Sequence, residues 1–195
     1  MKSLVLASGN PGKKAEVEQL LAPFGTRVVT QVELGLVEAD EPHDTFRDNA
    51  LAKARHACMA TRLPALADDS GICVDALGGA PGVYSARYAG EPRSEARNNE
   101  KMLLELKGKS DRRAHYVCVL VLMRDPADQQ PLIAEAEWHG EIAAAPRGAG
   151  GFGYDPLFWL PELGKTAAEL EAEHKNRISH RGQALAKLLE MLKTS

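Results

Sequence analysis

Residues 64–77 read PALADDSGICVDAL, and the fold turns on where this stretch puts its two adjacent acids. Pro64–Asp68 has the apolar character of a short strand, and a second extended run follows near Ile72–Ala76. That division sets Asp68 and Asp69 at the carboxyl end of a central strand, where α/β sheets place their sites. Neighbouring carboxylates repel each other, and a hard divalent cation with oxygen ligands would relieve the repulsion. An Asx-type turn ahead of Gly71 is the plainer alternative, although such a turn needs only one acid.

The flanking sequence alternates strands and helices. Lys2–Ala7 reads as an opening strand that ends in the loop SGNPGK. Val17, Leu20, Leu21 and Phe24 then recur at helical spacing, and residues 26–31 (TRVVTQ) form a second strand. A helix capped by Asp44 or Thr45 runs to about Arg62 and stops at Pro64. After the Gly/Pro-rich residues 78–90, a helix covers Ser94–Leu106, with Asn99, Met102, Leu103 and Leu106 on one face. Residues 114–123 and 132–142 pair as long strands, and a last helix carries Leu185, Leu188, Leu189 and Leu192. The pattern predicts an α/β fold with some antiparallel pairing in its second half, as a single domain over 1–195.

Composition narrows the function classes. The chain has 195 residues, 44% hydrophobic, which is enough for a substantial core. A net charge of −3 argues against a nucleic-acid-binding surface, so an anionic ligand must be held by local positive charge. Cys58, Cys73 and Cys118 form neither a disulfide framework nor a CxxC pair, which suits reduced thiols and a cytoplasmic location. The apolar run in MKSLVLASGN is too short for a signal peptide, and no stretch reaches membrane-spanning length.

Four further segments carry chemistry. In SGNPGKK (8–14), Gly9 and Gly12 let the backbone approach a ligand at a helix N-terminus, and Lys13 adds a full charge; a plain strand–helix turn is the alternative. In residues 40–53, Glu41 precedes a helix that bears Asp48, Asn49 and Lys53, and acids near a helix start also suit the macrodipole. GGFGYDP (150–156) sets Phe152 for stacking on a planar ring and Asp155 as an acceptor, unless its aromatics simply plug the core. Lys175, Arg177, His180 and Arg181 gather where the last helix begins, against the helix dipole, which suggests donors serving a ligand.

Taken in order, SGNPGK, TFRDNALAKA, LADDSGICVDALGGAPGVYSARYAG, GGFGYDPLF and ISHRGQAL resemble the inosine/xanthosine triphosphate pyrophosphatases, over about residues 3–192. The resemblance implies a long central mixed sheet flanked by helices, two lobes with a substrate cleft between them, and a homodimer that binds neither nucleic acid nor membrane. It implies Mg2+-dependent cleavage of ITP, dITP or XTP to the monophosphate and pyrophosphate. Ser8, Gly9, Asn10, Pro11, Gly12 and Lys13 match the family's triphosphate loop, with Lys13 also in a catalytic role. Glu41 and Asp69 match its metal carboxylates, with Asp69 also the proton acceptor, and Ser70 matches a substrate contact. Phe152, Gly153, Tyr154 and Asp155, with Lys175, His180 and Arg181, match its base pocket. Lys53 adds positive charge for the phosphates. One departure is Asp48-Asn49-Ala50, where the family has Glu-Asn-Ala. The rival classes are a phosphohydrolase of other nucleotides and a non-catalytic nucleotide-binding regulator.

Overall fold

The computed structural model describes residues 3–194, so Lys2, the expected start of the first strand, lies outside the described residues. The elements in order are β1 (Ser3–Leu6), α1 (Pro11–Leu21), β2 (Arg27–Thr30), α2 (Phe46–Thr61), β3 (Ala65–Val74), α3 (Glu95–Glu105), β4 (Arg113–Met123), β5 (Leu132–Ile142), β6 (Phe158–Leu160), β7 (Lys165–Thr166), α4 (Ala172–Ile178) and α5 (His180–Lys193). Among the described residues, seven strands form one mixed sheet in the order β2-β1-β3-β4-β5-β6-β7. The chain divides into two compact units. The first runs to Asp69 and takes in Cys118–Ala136 and the chain from Arg181; the second comprises Ser70–Val117 and Glu137–His180. β3, β4 and β5 each change unit partway along.

β3 corrects the expectation of two short runs. ALADDSGICV is one continuous ten-residue strand, so the acids sit mid-strand rather than at a strand end or in a turn before Gly71. Successive side chains on a strand point to opposite faces of the sheet. Asp68 and Asp69 are therefore directed apart, which removes much of the repulsion expected for adjacent carboxylates.

In the first unit, β1 runs parallel to β2 on one side and to β3 on the other. Leu4, Leu6, Val17, Leu21, Leu66, Leu120, Leu122, Leu185 and Leu188 form the core that joins this sheet to α1 and α5. The apolar stripe of α1 ends sooner than its spacing predicts. The helix stops at Leu21, a 3-10 turn follows to a left-handed Gly25, and Phe24 is left exposed. Ala50, Ala54, Ala57 and Cys58 are the fully buried positions of α2, small side chains that permit close packing.

In the second unit, Ile72, Val74, Met102, Tyr116, Trp138, Tyr154, Leu157 and Phe158 make a separate core. β6 and β7, for which the sequence carried no signal, extend the sheet antiparallel from β5. α4 is a short helix of its own, so Lys175 and Arg177 lie in its last turn, where cations suit the dipole. The conflict expected from basic residues at a helix start applies only to His180 and Arg181.

A buried ion network ties the first unit together. Arg181 on α5 donates from Nε to Asp68 Oδ2 on β3 at 2.5 Å, and through NH1 to Glu16 on α1. Lys13 Nζ lies 2.6 Å from Asp68 Oδ1. Burial alone would raise the Asp68 carboxyl pKa, but Arg181 and Lys13 outweigh it and hold the group well below the usual carboxylate range. Replacing Asp68 by Asn would leave Arg181 buried with one carboxylate fewer. We expect D68N to lose roughly 3–5 kcal/mol, as is typical when one partner of a buried pair is removed. Because the folded pKa is depressed, this stabilisation is complete above the unfolded value of about 3.9 and is lost as pH falls below it. Thermal melts of both proteins from pH 7 to pH 3 check this: the gap should be constant from pH 7 to about pH 5 and begin to shrink below about pH 4. Equal melting temperatures at pH 7 would rule out a stabilising role for the network.

Candidate active site

The site in the first unit follows from strand lengths. β1 ends at Leu6, which pairs with Leu66, whereas β3 continues through Ala67 to Asp68 and Asp69. The loop leaving β1 therefore starts beside the acids. With β2 and β3 on either side of β1, this is also a topological switch point of a parallel sheet, where ligands of α/β proteins bind.

The loop differs in one respect from its expected use. Asn10 is the N-cap of α1, and its Oδ1 accepts from the backbone N–H groups of Gly12 (2.8 Å) and Lys13 (3.2 Å). Pro11, at N1, has no N–H to offer. The first-turn donors that would attract an anion are thus already satisfied within the chain. Positive charge at this spot comes from Lys13 Nζ, whose side chain is 14% exposed while it pairs with Asp68.

Lys53 projects from α2 onto β3. Its Nζ donates to Glu41 Oε1 (2.8 Å), the Asp68 carbonyl (3.0 Å) and Asp69 Oδ1 (2.7 Å). Three acceptors match the three donors of an ammonium group. Glu41 comes from the long connection between β2 and α2, which Asn49 pins by bonding both the N–H and the carbonyl of His43. Asp48 is exposed and accepts from the Thr45 hydroxyl at 2.6 Å, so its carboxylate serves the cap of α2. Asp40 is exposed, and Ser70 follows the acids on β3, half-buried.

Asp69 stands out chemically. It is 7% exposed, and its Oδ2 has no hydrogen-bond partner among the described residues. Burial pushes its pKa above the usual carboxylate value, against the opposing charges of Lys53 and Lys13. An orphaned, buried carboxylate oxygen beside a second carboxylate suits a hard divalent cation. Among the described residues no group of three or more His, Cys, Asp or Glu side chains could hold a metal. Two carboxylates are nevertheless the usual protein share for Mg2+, which takes its remaining ligands from water and substrate phosphates.

The second unit assembles another group. Lys175 Nζ donates to Asp155 Oδ2 at 2.6 Å and lies 4.9 Å from the centre of the Phe152 ring. Asp155 also accepts from the Phe152 N–H at 2.9 Å, so it braces its own loop and is not an open acceptor. Gly151, at φ +71°, admits no Cβ, because one would fall 2.1 Å from Asp155 Oδ2. Tyr154 is a core residue, its hydroxyl bonded to the Ser85 carbonyl. His180 stacks on Tyr116 with ring centres 4.5 Å apart. Arg181 stands with Asp68 and Glu16 in the first unit.

Three residues that the sequence did not single out also shape these sites. Glu16 is the second carboxylate on Arg181. Tyr116 stacks on His180 and bonds Asp155 Oδ1 at 3.4 Å, but on a strand of apolar residues it reads only as core. Asn99 donates to the Gly153 carbonyl at 3.0 Å and so holds the Gly-rich loop; its place on the apolar face of α3 was the available signal.

A family model described as the Ham1 family matches residues 4–191. A protein of Nitrosomonas europaea named dITP/XTP pyrophosphatase is 68% identical over 98% of this chain and 95% of its own length. One of the same name from Ralstonia nicotianae is 64% identical over 99% of this chain and 98% of its own. The solved structure of a HAM1 protein from Coxiella burnetii superposes with a TM-score of 0.90 at 47% identity, covering all of both chains. With nearly its whole length matched by the family model, the chain belongs to the Ham1 family.

Proposed function

We propose that this protein is a nucleoside triphosphate pyrophosphatase that hydrolyses ITP, dITP and XTP to the monophosphate and pyrophosphate, in the cytoplasm, as a homodimer. Its close relatives bear the name dITP/XTP pyrophosphatase over nearly their whole length. Among the described residues no helix is long and apolar enough to cross a membrane. The single observation that carries the chemistry is the buried Oδ2 of Asp69, unpartnered among the described residues, beside Lys13, Lys53 and Glu41.

Glu41 and Asp69 are the residues that would hold Mg2+. Bound there, the ion would supply Lewis-acid polarisation of the phosphate oxygens and stabilisation of the charge on the departing pyrophosphate. Asp69 accepts a proton from the attacking water. Water oxygen bonds to the α-phosphorus, the bond to the bridging oxygen of pyrophosphate breaks, and the water's proton passes to the carboxylate. Lys13 neutralises phosphate charge.

Base choice falls to the second unit. Hypoxanthine and xanthine carry a 6-oxo acceptor where adenine has an amino donor. Donors such as Lys175 and His180 would favour the oxo group and leave adenine unpaired. A mismatch of that kind in a dry pocket discriminates by about 10⁴-fold. Phe152 offers a ring for stacking. The service to the cell is removal of deaminated purine nucleotides before they are incorporated into nucleic acid.

Incubation with ITP should release IMP and pyrophosphate only when Mg2+ is present, with ATP and GTP poor substrates. Release of IDP and phosphate would assign a different hydrolase, and ITP binding without turnover would favour a nucleotide-binding regulator. D69N should lower kcat by about 10³-fold or more, with a much smaller loss of nucleotide affinity; near-normal turnover would remove Asp69 from the chemistry. K13A should weaken ITP binding more than IMP binding in calorimetry. Equal losses for the two would place Lys13 away from the β- and γ-phosphates.

A further inference from the structure

Lys53 is a buried ammonium whose three donors are all engaged by oxygens: Glu41 Oε1, the Asp68 carbonyl and Asp69 Oδ1, each within 3.0 Å. Its side chain is 9% exposed and that of Asp69 is 10% exposed. This is the arrangement of a cation site, with one lysine nitrogen where the charge is needed. The two carboxylates around it are those that the proposed function assigns to the metal, and the inference rests on that assignment.

The geometry points to Lys53 as a resident counter-ion that keeps divalent cations off Glu41 and Asp69 until a polyphosphate arrives. Three physical constraints support this. Two carboxylates meet here, and one of them is nine-tenths buried; a buried carboxylate is costly to keep charged without a cation, so the nucleotide-free protein needs a positive group there. One ammonium cannot share the same oxygen lone pairs with a divalent ion, and the two cations repel strongly at close range. Lys53 therefore has to leave Asp69 and Glu41 before a divalent ion can take both.

A triphosphate supplies what the exchange requires. It offers new oxygens to the displaced ammonium and carries its own divalent ion, so the metal enters with the nucleotide. The lysine stays protonated throughout and passes from two carboxylates to phosphate oxygens. Asp69 Oδ2, buried and without a hydrogen-bond partner among the described residues, is the oxygen whose missing partner the ion would supply.

The test uses Mn2+ and the nucleotide-free protein, with free Mn2+ counted by electron paramagnetic resonance. Wild type should bind Mn2+ only weakly. K53M and K53Q should each bind one ion about tenfold more tightly or better, because the metal-competent state no longer has to expel a cation. The gain should vanish in K53M/D69N, and circular dichroism confirms that each variant is folded. Micromolar Mn2+ binding by the nucleotide-free wild type would overturn the inference without recourse to any variant. So would folded K53M and K53Q that bind no more tightly than wild type. Where wild type cleaves ITP only with Mg2+ but the variants show no gain, Lys53 is no counter-ion and the proposed function stands. A gain abolished by D69N in a protein inert toward ITP would leave the counter-ion in place and remove the proposed function.

Discussion

The alternation of side chains along β3 is the constraint on which the rest depends. Two aspartates in succession would repel each other in a turn. In a continuous strand, Asp68 and Asp69 face opposite sides of the sheet and meet different partners. Asp68 goes to Arg181 and Lys13 and becomes structural. Asp69 meets Lys53 and keeps one oxygen unpartnered among the described residues, which leaves it available for chemistry. One strand thus divides two identical residues between holding the fold and serving the site.

Arg181 shows how strongly burial decides a residue's role. Fully enclosed beside two carboxylates, it stays charged and its pKa moves well above the usual value; burial opposes that shift, and Asp68 and Glu16 outweigh it. The network also orients Lys13, because Asp68 holds its ammonium at the mouth of the loop after β1. The positive charge beside that loop is therefore placed by a residue on β3. The helix N-terminus contributes less than its position suggests, since Asn10 already satisfies its backbone donors.

The second unit follows similar rules with different chemistry. Asp155 accepts from Lys175 and from the Phe152 N–H, so one carboxylate sets both a cation and a ring. Glycine at 151 lets that carboxylate fold back on its own loop. Tyr116 joins the group from β4 by stacking on His180. Each polar side chain that could address a base is held by a neighbour of complementary chemistry.

Much of this was legible in the sequence. Apolar periodicity and end signals located α2, α3, β2 and the two long strands to within a residue or two, because Thr45, Ser94 and Pro64 act on their immediate neighbours. The ordered motifs identified the family and pointed to Glu41, and local chemistry nominated Lys13, Asp69 and Lys175. Contacts between residues distant in sequence were not legible. Nothing near Arg181 announces a pairing with Asp68, 113 positions away, nor does anything near Lys53 announce its three oxygens. The sequence by itself determined most of the longer elements, the family and the residue types available for catalysis, since these depend on spacing and intrinsic preference. Only the tertiary structure decided which aspartate is neutralised and which lysine is fully engaged, because charge pairing acts through space and burial sets its strength.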